Sequence, residues 1–204
     1  MREKLVLTTV MLFGIVVLPV RAMDATPTVT IYMDHDTRIP WREVFWATSQ
    51  ASRMFAKIGT LVQFRYGRKT QTVGQSGLEL DMYIGMQAPT RIHSDALGIS
   101  HPFRQDGRIE VFYSRIQNYT PELCRSMVLA NIMAHEIVHA LEGIDRHAAT
   151  GVMKARWNFE DLNRIRVGTL EFDTSDIELI RAGIEKRVNG AGSARVNSVS
   201  KMVR

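Results

Sequence analysis

The sequence predicts an α/β protein, of the α+β kind, in which a mixed β-sheet packs on helices. Four short segments alternate between apolar and polar residues and are rich in β-formers, as strands are: 29–32, 61–66, 78–84 and 109–113. Three segments instead have apolar residues at helical spacing: 40–58, 120–142 and a last one that opens at Asp173–Asp176. Strands and helices do not alternate regularly, which makes a doubly wound fold less expected.

The first helix is predicted from its apolar face and its two ends. Pro40 suits the first turn of a helix and Gly59 is a natural stop. Between them, apolar or small residues recur at spacings of three and four, at Val44, Thr48, Ala51, Phe55 and Ile58. One side of this helix should therefore be buried.

The second helix is predicted to run from Thr120 to Glu142. Thr120 can cap its start, Pro121 suits the next position, and Gly143 ends it. Before this helix lies a long segment, 87–107, which contains two histidines and two prolines. Long loops of this kind are often functional rims.

The chain is expected to have three parts. Residues 1–22 have a basic start, an apolar run and a small-residue cleavage site, as in a secretory signal peptide. Residues 23–190 form the folded domain, and 191–204 are predicted to be a disordered tail. The protein should thus be exported, either secreted or periplasmic, with no stable membrane insertion after cleavage.

Charge and cysteine content exclude some classes of function. Residues 1–22 carry a net charge of +2 and 181–204 carry +5, which leaves about −2 for the rest of a chain with a total of +5. The basic charge thus belongs to the ends, and nucleic-acid binding is not expected. Cys124 is the one cysteine, so there is no internal disulfide, and a buried thiol is expected there.

The chemistry of the chain is indicated by the motif His135-Glu136-Ile137-Val138-His139. On a helix, residues four apart lie on the same face, so both imidazoles can reach one Zn²⁺. Glu136 flanks that ion without binding it and can take a proton from a water that the metal activates. The two histidines are predicted metal ligands, and Glu136 is the predicted general base.

A catalytic zinc site needs a third protein ligand, and the sequence offers several. His147 lies eight residues past His139 and is favoured, since imidazole is a common zinc ligand. Asp145 lies six past it and is the main alternative. A distant glutamate, Glu160 or Glu171, also stays open.

The stretch from His135 to His147, followed by Thr150-Gly151-Val152-Met153, resembles the active site of metzincins with its Met-turn. The whole stretch to Trp157 is similar to small uncharacterised exported bacterial proteins with that arrangement. The resemblance implies zinc on His135, His139 and His147, Glu136 as the base, and Met153 beneath the metal. It also implies a metzincin-like sheet, in which an edge strand just before the active-site helix, here Phe112 and Tyr113, can pair with an extended substrate.

The predicted function is a zinc-dependent metallopeptidase that hydrolyses peptide bonds in peptides or proteins. A non-proteolytic zinc amidohydrolase and an inactive zinc-binding module of the cell envelope remain alternatives. The other histidines, His35, His93 and His101, are expected on solvated loops, where His93 or His101 could line a substrate cleft.

Overall fold

The fold is built on a five-stranded mixed sheet, seen in a computed structural model that describes residues 28–67, 78–93, 95–101 and 108–202. The strands are β1 (Thr28–His35), β2 (Leu61–Tyr66), β3 (Leu78–Gly85), β4 (Gly98–Ser100) and β5 (Ile109–Phe112). Their order is β2-β1-β3-β5-β4. All neighbours are parallel except β4, which runs antiparallel to β5 at one edge. The predicted α/β class is confirmed.

Within the described residues, five α-helices accompany the sheet, and the third is central. They are α1 (Trp41–Lys57), α2 (Tyr113–Tyr119), α3 (Arg125–Glu142), α4 (Phe159–Val167) and α5 (Thr174–Met202). Helix α3 packs on α1, α4 and α5 and on strands β4 and β5. Nearly all of its residues from Val128 to Leu141 are buried. Side chains on α3 are therefore held in place from several directions.

The first helix and the central strand follow from their apolar residues. In α1 the buried positions include Val44, Thr48, Ala51 and Phe55, as the spacing predicts. Gly59 ends the helix with a φ of 77°, which a residue with a side chain rarely adopts. Strand β1 lies between β2 and β3 and is buried from Val29 to Met33, on both faces, as central parallel strands are.

The region around the fourth predicted strand differs from the prediction. Strand β5 ends at Phe112, and Tyr113, predicted as its last residue, begins α2 and donates its hydroxyl to the carboxylate of Glu43 on α1. The predicted edge strand is also wrong. Strand β5 is internal, and the edge is β4, which lies in the segment 87–107 that was predicted to be a loop.

The structure shifts the start of one predicted helix and adds a helix that was not predicted. The helix predicted from Thr120 begins as α3 at Arg125, after Pro121 and a short 3₁₀ turn at Glu122–Cys124. Helix α4 was not predicted, although Asn158 and Asp161 form a capping box at its start. Cys124 is a buried free thiol, as expected.

The ends of the chain are described only in part. The predicted signal peptide, 1–22, lies outside the described residues. Helix α5 opens at Thr174, near the predicted Asp173, and its bounds run on to Met202, through most of the tail predicted to be disordered. That disorder stays a prediction. Among the described helices, none is both long and apolar enough to cross a membrane.

Candidate metal centre

Two histidines reach the candidate site from the last turns of α3. His135 and His139 are one helical turn apart and thus share a face. The helix ends at Gly143, whose φ of 71° lies in the left-handed region, and the Gly143 N–H donates to the His139 carbonyl at 3.0 Å. This turn reverses the chain, and the segment that follows carries His147 back toward the two ligands.

The three histidines converge on one point. The Nε2 atoms of His135 and His139 are 3.1 Å apart. The ring centre of His147 lies 5.3 Å from that of His135 and 4.9 Å from that of His139. One ring nitrogen from each of the three lies within 4.8 Å of the others, the spacing of side chains that could share a metal ion.

Hydrogen bonds to the main chain orient two of these rings. His135 Nδ1 donates to the Val152 carbonyl at 2.8 Å, and His139 Nδ1 donates to the Ile144 carbonyl at 3.3 Å. A carbonyl oxygen only accepts, so each contact places the ring proton on Nδ1. Each neutral ring then presents the lone pair of its Nε2 to the common point.

Burial keeps these two imidazoles neutral. It lowers the pKa of His135 to about 3, helped by the charges of His139 and His147. It also lowers the pKa of His139, and His147 adds to this effect. A buried site disfavours the charged form of an imidazole, and neutral imidazole is the form that binds metals.

Glu136 lies beside the histidines and turns toward strand β4. It is 7% exposed. Burial raises its pKa to about 8, opposed by hydrogen bonds from the hydroxyl and backbone N–H of Ser100, while the charge of Asp145 raises it further. A raised pKa makes the carboxylate a stronger base, which suits a group that must accept a proton.

The other candidate ligands lie differently. Asp145 lines the same cleft as the histidines, whereas Glu160 and Glu171 do not. Glu160 instead pairs with Arg164 at 2.7 Å on α4. Met153 is fully buried, next to Val152, whose carbonyl orients His135. Its place beneath a metal stays a prediction.

Comparison with known proteins identifies the fold. No model of a protein family matches the sequence, and no curated protein matches it. Among solved structures, the chain is similar to archaemetzincin from Methanopyrus kandleri, with a TM-score of 0.52 and 14% identity over 80% of this chain and 98% of that one. The fold is metzincin-like. At this level of identity the similarity concerns the fold alone.

In this metzincin-like fold the histidines lie in a cleft of about 810 Å³. One wall is β4 and the loop before it, and the other is the segment 154–157 with Leu162 of α4. His93 and His101 both line the cleft, as the sequence analysis considered. His35 lies elsewhere, against Trp41.

Several cleft residues were missed by sequence reasoning. An ion pair of 3.2 Å joins Arg156 on one wall to Asp95 on the other. Arg115 of α2 holds the loop before β4 by donating to the carbonyls of Ile92, His93 and Ala96. Gly98 and Ser100 of β4 contact Glu136. A strand of three residues is too short for its alternation to be recognised.

Proposed function

We propose that the protein is a zinc-dependent metallopeptidase that hydrolyses peptide bonds with Glu136 as general base. The observation that carries the proposal is the convergence of three imidazoles beside one buried carboxylate, in a cleft open to a substrate. The likeness to archaemetzincin supports it at the level of the fold.

The residues of the site fit a zinc ion. Two nitrogen ligands at 2.0–2.1 Å from a tetrahedral ion are about 3.3 Å apart, and the Nε2 atoms of His135 and His139 are 3.1 Å apart. Without a cation, two lone pairs would face each other at that distance. Three imidazoles with room for one more ligand are the donor set of a catalytic zinc site, so His135, His139 and His147 would hold the ion. When bound, zinc would supply Lewis-acid chemistry, by lowering the pKa of water and polarising a carbonyl.

The remaining steps belong to the protein's own groups. The Glu136 carboxylate would take the proton of the attacking water and pass it to the nitrogen of the leaving amine. The apolar side chains of Leu97, Ile132 and Leu162 line the cleft and would exclude bulk water around this transfer.

Strand β4 favours a peptide as the substrate over a small amide. Leu97 accepts from the Phe112 N–H, and the His101 N–H donates to Arg108. The N–H and carbonyl of Gly98 and the carbonyl of Ser100 therefore point away from β5 toward the open edge. An extended peptide could add to this edge as a further strand, with its backbone beside the histidines.

The alternatives belong to the same site. A non-proteolytic zinc amidohydrolase would use the same groups on a smaller amide. An inactive zinc-binding module would have no use for the buried carboxylate of Glu136. Export, to the periplasm or the medium, is part of the proposal and rests on residues 1–22.

Metal analysis and one substitution test the function. We expect one zinc per chain, and hydrolysis of a mixed set of proteins that a chelator abolishes. Glu136→Gln should keep the zinc and lower the rate at least about 100-fold, because the group is a base and not a ligand. Glu178→Gln, an exposed change on α5, is the matched control and should keep full activity.

Two results would contradict the proposal. A chain without zinc after purification in zinc-replete conditions has no metal centre. A Glu136→Gln variant with near wild-type turnover has a different mechanism. Hydrolysis of acyl-amino acids but not of peptides would favour the amidohydrolase instead.

A further inference from the structure

The side chain of Glu136 lies against strand β4, beside Gly98 and Ser100. The Leu97 carbonyl and the His101 N–H form hydrogen bonds across to the β5 side of the sheet. Because backbone groups of successive residues point to opposite edges of a strand, the N–H of Ser100 points away from β5. The N–H and the hydroxyl of Ser100 both lie close enough to the Glu136 carboxylate to lower its pKa against the effect of burial. One residue of the edge strand thus offers two donors to the carboxylate.

Gly98 provides the space in which Glu136 lies. A Cβ built on Gly98 would be 2.9 Å from Glu136 Cγ and 3.0 Å from its Oε1, and 3.2 Å from the Glu110 carbonyl. The Glu110 carbonyl is held in the sheet, whereas the Glu136 side chain can move. A side chain at position 98 would therefore displace the carboxylate.

We propose that Gly98 and Ser100 are positioning residues, which hold the Glu136 carboxylate in the orientation that catalysis requires. Gly98 leaves the space and Ser100 donates the two hydrogen bonds. This inference rests on the proposed function, in which Glu136 is the base. Its structural part, the contact between Ser100 and Glu136, can be measured separately.

Kinetics of the full chain test the role of Ser100. Ser100→Ala should lower kcat about tenfold, as expected for the loss of one hydrogen bond to a charged group, with KM within about twofold and zinc content unchanged, because the hydroxyl acts on the base. Ser100→Thr keeps the hydroxyl and should recover most of kcat. Ser52→Ala is the matched control, since it removes a serine hydroxyl bond to the Val62 carbonyl away from the cleft.

Gly98→Ala should have a larger effect. A misplacement of about 1 Å can cost on the order of 100-fold in rate, and we expect a fall in kcat of that size with zinc still bound. Wild-type kcat in Ser100→Ala or in Gly98→Ala would overturn the assignment for that residue. An equal fall in Ser100→Thr and Ser100→Ala would also overturn the role of the hydroxyl.

Hydrogen exchange tests the contact without any activity. In the full chain, Glu136→Ala should speed exchange of the Ser100 amide by about tenfold or more, because its acceptor is lost. The His101 amide, which donates to Arg108 across the sheet, is the internal reference and should not change. Unchanged exchange at Ser100 would overturn the inference. If the wild-type chain hydrolyses no peptide, the proposed function fails, and this measurement still decides whether Ser100 holds Glu136.

Discussion

At the scale of single residues, the segment after Gly143 decides which side chain completes the metal centre. His147→Ala should reduce zinc affinity far more than Asp145→Ala, because the ring of His147 lies among the other two imidazoles. Asp145 lines the cleft without belonging to that group. A residue that only orients a ligand typically contributes about 10–100-fold to affinity. Zinc titrations of the two variants, side by side, measure the difference.

The reverse result would change the assignment. If Asp145→Ala lost the metal and His147→Ala kept it, the aspartate would be the third ligand. The structure would then show a histidine that is close to the metal and does not bind it.

A second residue-scale feature is the buried carboxylate of Glu142. Its side chain has no exposed surface, and Arg146 lies 3.5 Å away while also bonding to Asp176. Burial raises the pKa of Glu142 to about 7, with Arg146 opposing and Asp176 adding to the shift. The folded state thus binds this proton more tightly than the unfolded chain does. The stability it contributes is present below the unfolded pKa of 4.5 and is lost as the pH rises through about 7.

Glu142→Gln should therefore raise the melting temperature at pH 8 and have little effect at pH 4.5, because the amide stays neutral. Thermal unfolding of both proteins across this range measures it. Glu178→Gln, on the exposed side of α5, should show no such trend. An equal change at both pH values would mean that Glu142 is ionised in the fold throughout.

At the scale of elements, the crossing of α3 and α5 places the end of the active-site helix. A Cβ built on Gly183 would lie far inside contact distance of the Leu141 carbonyl. Arg187, one turn further along α5, donates to the Ala140 carbonyl. The glycine is needed for this close approach of the two backbones.

Gly183→Ala should lower the free energy of unfolding by about 2 kcal/mol, the usual size for overpacking. Alanine is otherwise the better helix former, so a helix with free space there would gain stability. Gly168→Ala is the control, because its Cβ would meet only the Arg164 carbonyl at 4.0 Å. Denaturant midpoints of the two variants should differ clearly; equal midpoints would mean that α5 can shift without cost.

The elements that the sequence predicted well are those with a long internal pattern. Helix α1 repeats its apolar spacing over four turns, and His135 and His139 meet within a single turn, so spacing alone places them on one face. Helix α4 has no such pattern, since its Phe159 and Val167 are 79% and 91% exposed. Ser100 and Glu136 are far apart along the chain, and only the fold brings them together. The third ligand was open for the same reason, since a loop has no period.

At the scale of the whole molecule, a metal would link the buried helix α3 to the loop that follows it. His135 and His139 belong to the buried helix, whereas His147 is exposed on the loop that follows. A ligand that binds only the folded state stabilises it by about 4 kcal/mol at 1,000 times its Kd. For a chain of this length, that is roughly 10 °C in melting temperature.

Chelation should therefore lower the melting temperature by about 10 °C, and added zinc should restore it. His147→Ala should melt at nearly the same temperature with and without chelator. Calorimetry of the two proteins measures both effects. A wild-type melting temperature that chelation leaves unchanged would mean that the metal contributes nothing to the fold.

The bonds from His135 and His139 to backbone carbonyls have a consequence for how this chain can vary. Both acceptors, at Ile144 and Val152, flank the segment that carries His147. A carbonyl is present whatever side chain the residue bears. The residue Ile144 is itself 37% exposed. A substitution at such a position therefore leaves the hydrogen bond to the histidine ring in place. An insertion or a deletion between the two carbonyls would not be tolerated, because one residue more or fewer would move an acceptor away from its ring.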